Sequence, residues 1–289
     1  MRYYQVGDPS DARLALHTDE GSYDLTAANA SVESFGDLAR AASIADREVD
    51  AIAAKLAESA PELASETIAD TTRAPVHADE VWAAGVTYHI SEQARQEEST
   101  MPDMYIDVYE GGRPEVFFKA TPNRYVGPDE PVGIRSDSEW DVPEPELGVV
   151  LYQGDIVGFT VGNDMSSRSI EGENPLYLPQ AKVYDRCCSI GPCVRSAASV
   201  DDPHDLEMWM TIRRDGETLY EESTDTGEMV RSVSELVDCY TKHNAVPELS
   251  VLLTGTALVP GDGFTLREGD RIDIGIEDIG QLTNTVTVV

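Results

Sequence analysis

The sequence predicts an α+β fold dominated by β-structure. Three observations lead there. Short apolar runs with period-2 alternation recur from residue 80 onward, glycine turns separate them, and clear helical spacing is confined to two stretches. The runs are EVWAAGVTY, EVFFKA, ELGVVLY, DIVGFTVGND, EMWMTIRR, GFTLREGDRIDIGIED and QLTNTVTVV. Strands that seldom alternate with helices argue against a βαβ architecture. No G-x-G-x-x-G follows a strand and no G-x-x-x-x-G-K-[ST] occurs, so nucleotide-binding folds lose support.

Residues 1–27 read as short strands that turn at GDPSD and DEGS. Residues 31–59 carry alanine-rich helical spacing, with Ser34 or Ser43 as the N-cap. The polar, proline-bearing stretch APELASETIADTTRAPVHADE marks a boundary near residue 75. We therefore expect a small N-terminal α/β cap over residues 1–75 and a catalytic domain over residues 76–289. Within the second, SVSELVDCYTKHNA is the clearest helix.

The 289 residues include 54 acidic and 21 basic side chains, for a net charge of −33. Nucleic-acid binding needs a clustered basic surface and is not expected. Hydrophobic residues at 41% supply a core, which argues against disorder. Only four lysines (Lys55, Lys119, Lys182, Lys242) accompany seventeen arginines. A folded, lysine-poor, acid-coated chain suits a very salty cytoplasm, where self-repulsion is screened. No apolar run approaches the roughly 20 residues of a spanning helix, and MRYYQVGDPSDARLAL lacks a secretory h-region. A cytoplasmic protein without membrane attachment is expected. Cys187, Cys188, Cys193 and Cys239 form no C-x-x-C pair, and adjacent cysteines suit no ordinary bridge. All four are expected as buried free thiols in a reducing compartment.

DVPEPELGVVLY places Glu144 and Glu146 at the mouth of an apolar run. Side chains at i and i+2 of a strand share a face, so the two carboxylates project together. In so acidic a chain such a spacing arises often by chance, and Pro145 suits a solvated edge. Context adds weight. Glu146 runs directly into a buried strand, and Asp164 closes a second apolar strand that can pair with the first as a hairpin. Three carboxylates at strand ends suit Mg²⁺, or Mn²⁺, completed by water or substrate oxygens.

WDVPEPELGVVL, GFTVGNDMSSR, AKVYDRCCSIGP, LLTGTALVPGDG and LREGDRIDIGIEDIGQLTNTV resemble, in order, the signature blocks of the fumarylacetoacetate hydrolase superfamily. The resemblance spans about residues 80–289 and implies a mixed β-roll that assembles as a homodimer or homotetramer. It implies Glu144, Glu146 and Asp164 as metal ligands. Arg168 of NDMSSR, Lys182 of AKVYD and Thr256 of TGT match positions that contact substrate, with Asp185 beside them. Glu171 stands where relatives often carry glutamine, and Tyr88 where they carry tyrosine.

The family's hydrolases place a histidine base three residues after that tyrosine. Here GVTYHISEQA puts Ser91 in its place and displaces His89 by two. Hydrolysis needs a base set against water, and its usual carrier is absent. SSRSIEGENPLYLPQAK and GVTY instead resemble the branch that dehydrates 2-keto-3-deoxy-pentonates to 2,5-dioxopentanoate. In that chemistry a cation polarises the 2-oxo acid and stabilises the charge that develops when a proton leaves C3. Lys182 and Glu115 of PEVFFKA are the acid–base candidates, and Lys119 is either a substrate contact or a salt-bridge donor. The alternatives are an acylpyruvate-type hydrolase or 2-oxo acid decarboxylase on the same metal, and a non-catalytic cation-binding protein. Retained cationic side chains argue against the last.

The charge yields a direct test. The Debye length grows from about 3 Å at 1 M salt to about 30 Å at 0.01 M. The melting temperature should therefore fall as KCl is withdrawn, and equal melting in dilute buffer and molar KCl contradicts the salt adaptation.

Overall fold

The computed structural model describes residues 1–8, 10–88, 111, 113–261 and 263–289. Strands β1 (Arg2–Val6), β2 (Arg13–Thr18) and β3 (Gly21–Asp24) precede helices α1 (Leu25–Ala28), α2 (Phe35–Ala45), α3 (Val49–Ala57) and α4 (Ser65–Thr71). Next come β4 (Thr72–Arg73), β5 (Glu80–Gly85), β6 (Glu115–Ala120), β7 (Tyr125–Val126), β8 (Val132–Ile134) and β9 (Asp141–Val142). The centre of the chain holds β10 (Pro145–Tyr152), β11 (Asp155–Asp164), β12 (Ser166–Ser167), α5 (Arg168–Glu173), α6 (Leu178–Lys182) and β13 (Cys188–Ser196). The remainder supplies β14 (Glu207–Arg214), β15 (Glu217–Asp225), α7 (Val233–Thr241), β16 (Leu249–Leu253), β17 (Arg271–Ile276) and β18 (Gly280–Val288).

β-structure dominates, as expected. A large sheet runs β3-β2-β1-β13-β11-β10-β16-β5-β6, with β4 beside β1 and β7 beside β13. A five-stranded sheet runs β15-β14-β17-β18-β8 and packs its apolar face toward the first. β10 is buried along its whole length because it lies between β11 and β16, not at an edge. Pro145 is tolerated as its first residue. The boundary expected near residue 75 falls between β4 and β5, yet β1 pairs with β13 and so continues the large sheet.

Local chemistry accounts for the helices. Ser34, not Ser43, caps α2: its hydroxyl accepts from the Asp37 amide while the Asp37 carboxylate accepts from the Ser34 amide. The helical stretch breaks at Asp46, which sits at φ 53°, before α3 resumes. The second expected helix is α7, capped by Ser232. Among the described residues no helix is long and apolar enough to cross a membrane. Cys187, Cys188, Cys193 and Cys239 are free, the first three of them buried.

The β10–β11 hairpin positions the site. It turns through Gln153 and Gly154, both at positive φ (52° and 93°), the conformation a tight two-residue hairpin requires. A bulge follows, with Leu151 opposite Ile156 but Val150 opposite Gly158, so Val157 is the extra residue. A one-residue shift exchanges the faces of a strand. Beyond the bulge, Pro145 faces Asn163 and Glu146 faces Gly162, which brings Asp164 level with Glu144. Without it, Asn163 would take that place.

β9 pairs with β12 and braces this corner, and its Asp141 is buried. Burial pushes the Asp141 carboxyl up to about 6, against hydrogen bonds that favour its charge. A raised carboxyl pKa stabilises the fold below the unfolded value and loses that contribution as pH rises through the folded one. Asp141→Asn should thus raise the melting temperature at pH 8 and change it little at pH 4. An equal change at both values removes the linkage.

Candidate active site

The hairpin register brings Glu144, Glu146 and Asp164 together, with one carboxylate oxygen from each within 4.8 Å of the others. All three are buried. Glu144 and Glu146 share a face as i and i+2, and the Asp164 amide donates to the Glu144 carbonyl at 2.9 Å. Hard oxygen donors in this number and spacing fit a divalent cation of the magnesium type. The donor set therefore passes the test that its chemistry poses.

Cationic side chains surround the trio. Lys182, at the C-terminal end of α6, donates to Glu144 Oε2 at 2.8 Å, Asp164 Oδ2 at 2.9 Å and the Ser166 hydroxyl at 2.6 Å. Arg168, the first residue of α5, places Nη2 3.0 Å from Glu144 Oε1, and Glu171 lies 3.7 Å from its Nη1. Lys119, fully buried on β6, pairs with Asp164 Oδ1 and donates to the Met165 carbonyl at 2.8 Å. Burial works against the Lys119 charge, but Asp164 together with Cys187 and Cys188 outweighs it and holds the ammonium above its usual range.

Glu146 has a different environment. Its Oε2 accepts from the Gly255 amide at 2.6 Å. Burial lifts its pKa well above the usual carboxylate range, and the charges of Asp164 and Glu144 add to this, opposed by Lys182 and the Gly255 amide. Gly255 has no substitute: it sits at φ +90°, and a Cβ there would come within 2.0 Å of the Thr87 hydroxyl.

Glu144, Glu146, Asp164, Arg168, Lys182 and Gly255 line a cavity of about 150 Å³ together with Phe117, Glu222 and Thr256. The Phe117 ring centroid lies 5.6 Å from the Lys182 ammonium. Glu115 stands half-buried at the start of β6, directly over Gly85 of the cavity wall; a Cβ on Gly85 would fall 1.9 Å from Glu115 Oε2. A larger open groove of about 590 Å³ lies beside α2 and α3, but it lacks the carboxylate trio, and the smaller cavity is where the charges converge.

The structure thus brings together Glu144, Glu146, Asp164, Arg168, Lys182 and Thr256, with Glu171 and Glu115 adjoining. Lys119 reaches the cluster through Asp164 and does not line the cavity. Tyr88 is buried off the lining, its phenol pushed up by burial and by Glu146. Asp185 is exposed and also off the lining. His89 and Ser91 lie outside the described residues. Sequence reasoning missed Ser166, although the two-residue spacing from Asp164 was a usable signal. It also missed Glu222, which no motif marks.

Comparison with known proteins gives concordant results. The family described as "Fumarylacetoacetate (FAA) hydrolase C-terminal" matches residues 80–287. A probable 2-keto-3-deoxyxylonate dehydratase of Haloferax volcanii is 62% identical over 289 residues, covering 100% of both chains. The 2-dehydro-3-deoxy-D-arabinonate dehydratase of Saccharolobus solfataricus is 42% identical over 217 residues, 73% of each chain. A solved 2-keto-3-deoxy-D-arabinonate dehydratase, complexed with magnesium and 2,5-dioxopentanoate, superposes with a TM-score of 0.85 at 31% identity, covering 100% of this chain and 99% of that one.

The raised Glu146 pKa predicts a pH-dependent metal requirement. A cation must displace the proton, so the Mg²⁺ concentration for half-saturation should rise as pH falls, by up to about tenfold per pH unit while Glu146 titrates. Calorimetric titration between pH 6 and 8 checks this. Glu146→Gln should weaken Mg²⁺ by at least about tenfold and flatten the profile; unchanged affinity removes Glu146 from the ligand set.

Proposed function

Because the chain belongs to the fumarylacetoacetate hydrolase family, we propose that it is a magnesium-dependent hydro-lyase that converts a 2-keto-3-deoxy-pentonate to 2,5-dioxopentanoate. One observation carries the reading. Lys182 supplies a proton-bearing group inside the carboxylate trio, three hydrogen bonds fixing its position, while the hydrolases' histidine position is Ser91. The cavity is therefore equipped to move protons, and the position of the hydrolases' histidine base carries a serine.

Glu144, Glu146 and Asp164 would hold the Mg²⁺. Bound there, it acts as a Lewis acid toward the carbonyl and carboxylate of a 2-oxo acid. Arg168 receives the substrate carboxylate, and Thr256 with Glu171 orients it. Glu115 takes a proton from C3. Lys182 gives one to the C4 hydroxyl, which departs as water and leaves a C3–C4 double bond. A proton then leaves C5 and another returns to C3, giving an enol across C4 and C5. Protonation at C4 and loss of the enol proton produce the C5 aldehyde. The net change is the loss of one water.

Within the same reading Lys119 pairs with Asp164 and aims it, and Tyr88 and Asp185 act at a distance from the reacting atoms. Residues 1–75 serve as a cap to the catalytic domain of residues 76–289, and the protein works as a homodimer or homotetramer, as the family resemblance implies. A cytoplasmic location agrees with free thiols and a small-molecule metabolic substrate. The Haloferax volcanii relative suits the acid-rich surface.

The test is direct. Lys182→Ala should lower kcat by roughly 10² to 10⁴, and EDTA should abolish turnover until Mg²⁺ or Mn²⁺ is restored. His89→Ala should stay close to normal. In D₂O the product should carry deuterium at C3 and C4, read by NMR. An inert His89→Ala together with a nearly normal Lys182→Ala would transfer the chemistry to a hydrolytic role.

A further inference from the structure

The cavity has one acidic side chain that the proposed chemistry does not use. Glu222 reaches it from β15, in the sheet opposite the one that carries the trio. Pairing explains its direction. Glu222 stands opposite Met210 of β14, which is fully buried, and cross-strand partners share a face. By register Glu222 lies on the inner face of β15, yet like most of that strand it is exposed, so it borders the cavity from its solvent side. Tyr220, two residues earlier on the same face, donates its hydroxyl to Glu222 Oε2 at 3.1 Å and fixes the carboxylate.

Outside the charged cluster, the described lining is apolar or glycine except for Thr256 and Glu222. A 2-oxo acid held by its carboxylate and keto oxygens at the cationic pole must extend its far end toward this wall. We propose that Glu222 determines specificity at that far end: its carboxylate accepts a hydrogen bond from a C5 hydroxyl and repels a second carboxylate. The cavity then admits hydroxylated monocarboxylic 2-oxo acids and rejects dicarboxylic ones. This inference rests on the reading above that a 2-oxo acid is the ligand.

Charge balance points the same way. Four lining acids (Glu144, Glu146, Asp164, Glu222) face two lining bases (Arg168, Lys182). A divalent cation brings them to neutrality, so a monoanionic ligand leaves one excess negative charge and a dianion two. The second charge of a dianion falls beside Glu222 at the solvent side of the cavity, where the repulsion persists but is reduced by screening.

The test compares three five-carbon ligands on the Mg²⁺-loaded protein by calorimetry: 2-oxopentanoate, 5-hydroxy-2-oxopentanoate and 2-oxoglutarate. The wild type should bind the hydroxylated acid tightest and the dicarboxylate weakest. Glu222→Gln should tighten 2-oxoglutarate and weaken the hydroxylated acid, each by about twofold to fivefold. It should leave 2-oxopentanoate unchanged, which also reports an intact fold and cationic pole. A variant that shifts all three ligands equally, or none, overturns the role of Glu222 while leaving the 2-oxo acid reading in place. A wild type that binds none of the three overturns both.

Discussion

The insertion of the Lys182 ammonium between Glu144 and Asp164 is the contact on which the site depends. Two carboxylates some 5 Å apart repel by about 3 kcal/mol at an effective dielectric of about 20, and here three share one buried corner. Positive charge has to enter from outside the hairpin. It comes from three elements: Lys119 on β6, Arg168 on α5 and Lys182 on α6. The charge centre is therefore also a joint. Removing one cation would loosen the seam between the central hairpin and the element that supplied it.

Such a centre is a poor source of net stability, because desolvation of buried ions offsets much of their attraction. What it supplies is geometry. Each carboxylate has its direction set by a named donor: Glu146 by the Gly255 amide, Glu144 by Arg168 and Lys182, and Asp164 by Lys119 and Lys182. Groups fixed in advance need not reorganise when charge develops on a bound ligand. Two glycines protect this order by yielding space, Gly85 to Glu115 and Gly255 to Thr87.

The parts of the site that were legible in sequence were those governed by short-range rules. The two-residue period put Glu144 and Glu146 on one face, and two apolar runs ending in acids suggested the hairpin that adds Asp164. The bulge at Val157 was not legible, although the parity of the whole second strand depends on it. Lys119 was open between substrate contact and ion pair because FFKA does not say which carboxylate lies opposite; the structure supplies Asp164. Glu222 was invisible for a stronger reason. Its meaning arises only when β15 folds over the other sheet, and nothing in ETLYEESTD separates it from the acids of a solvated edge. The helix over residues 31–59 was legible as helix but not as two helices, since the break depends on Asp46 taking a left-handed conformation.

The pairing of β1 with β13 has a consequence for how the chain is made. Arg2 lies opposite Arg195 and Tyr3 opposite Val194, so β1 finds this neighbour only after about 190 further residues have been synthesised. At translation rates of about 5–20 residues per second, that interval is roughly ten to forty seconds. During it β1 can form its hairpin with β2 and pair with β4 through Gln5 and Val6, while the Arg2–Tyr3 stretch of its other edge stays open. The closing contact has high sequence separation and is of the kind that slows folding. For that interval β1 keeps a stretch of unpaired edge on the ribosome, and dense negative charge along the emerging chain helps keep neighbouring nascent copies apart.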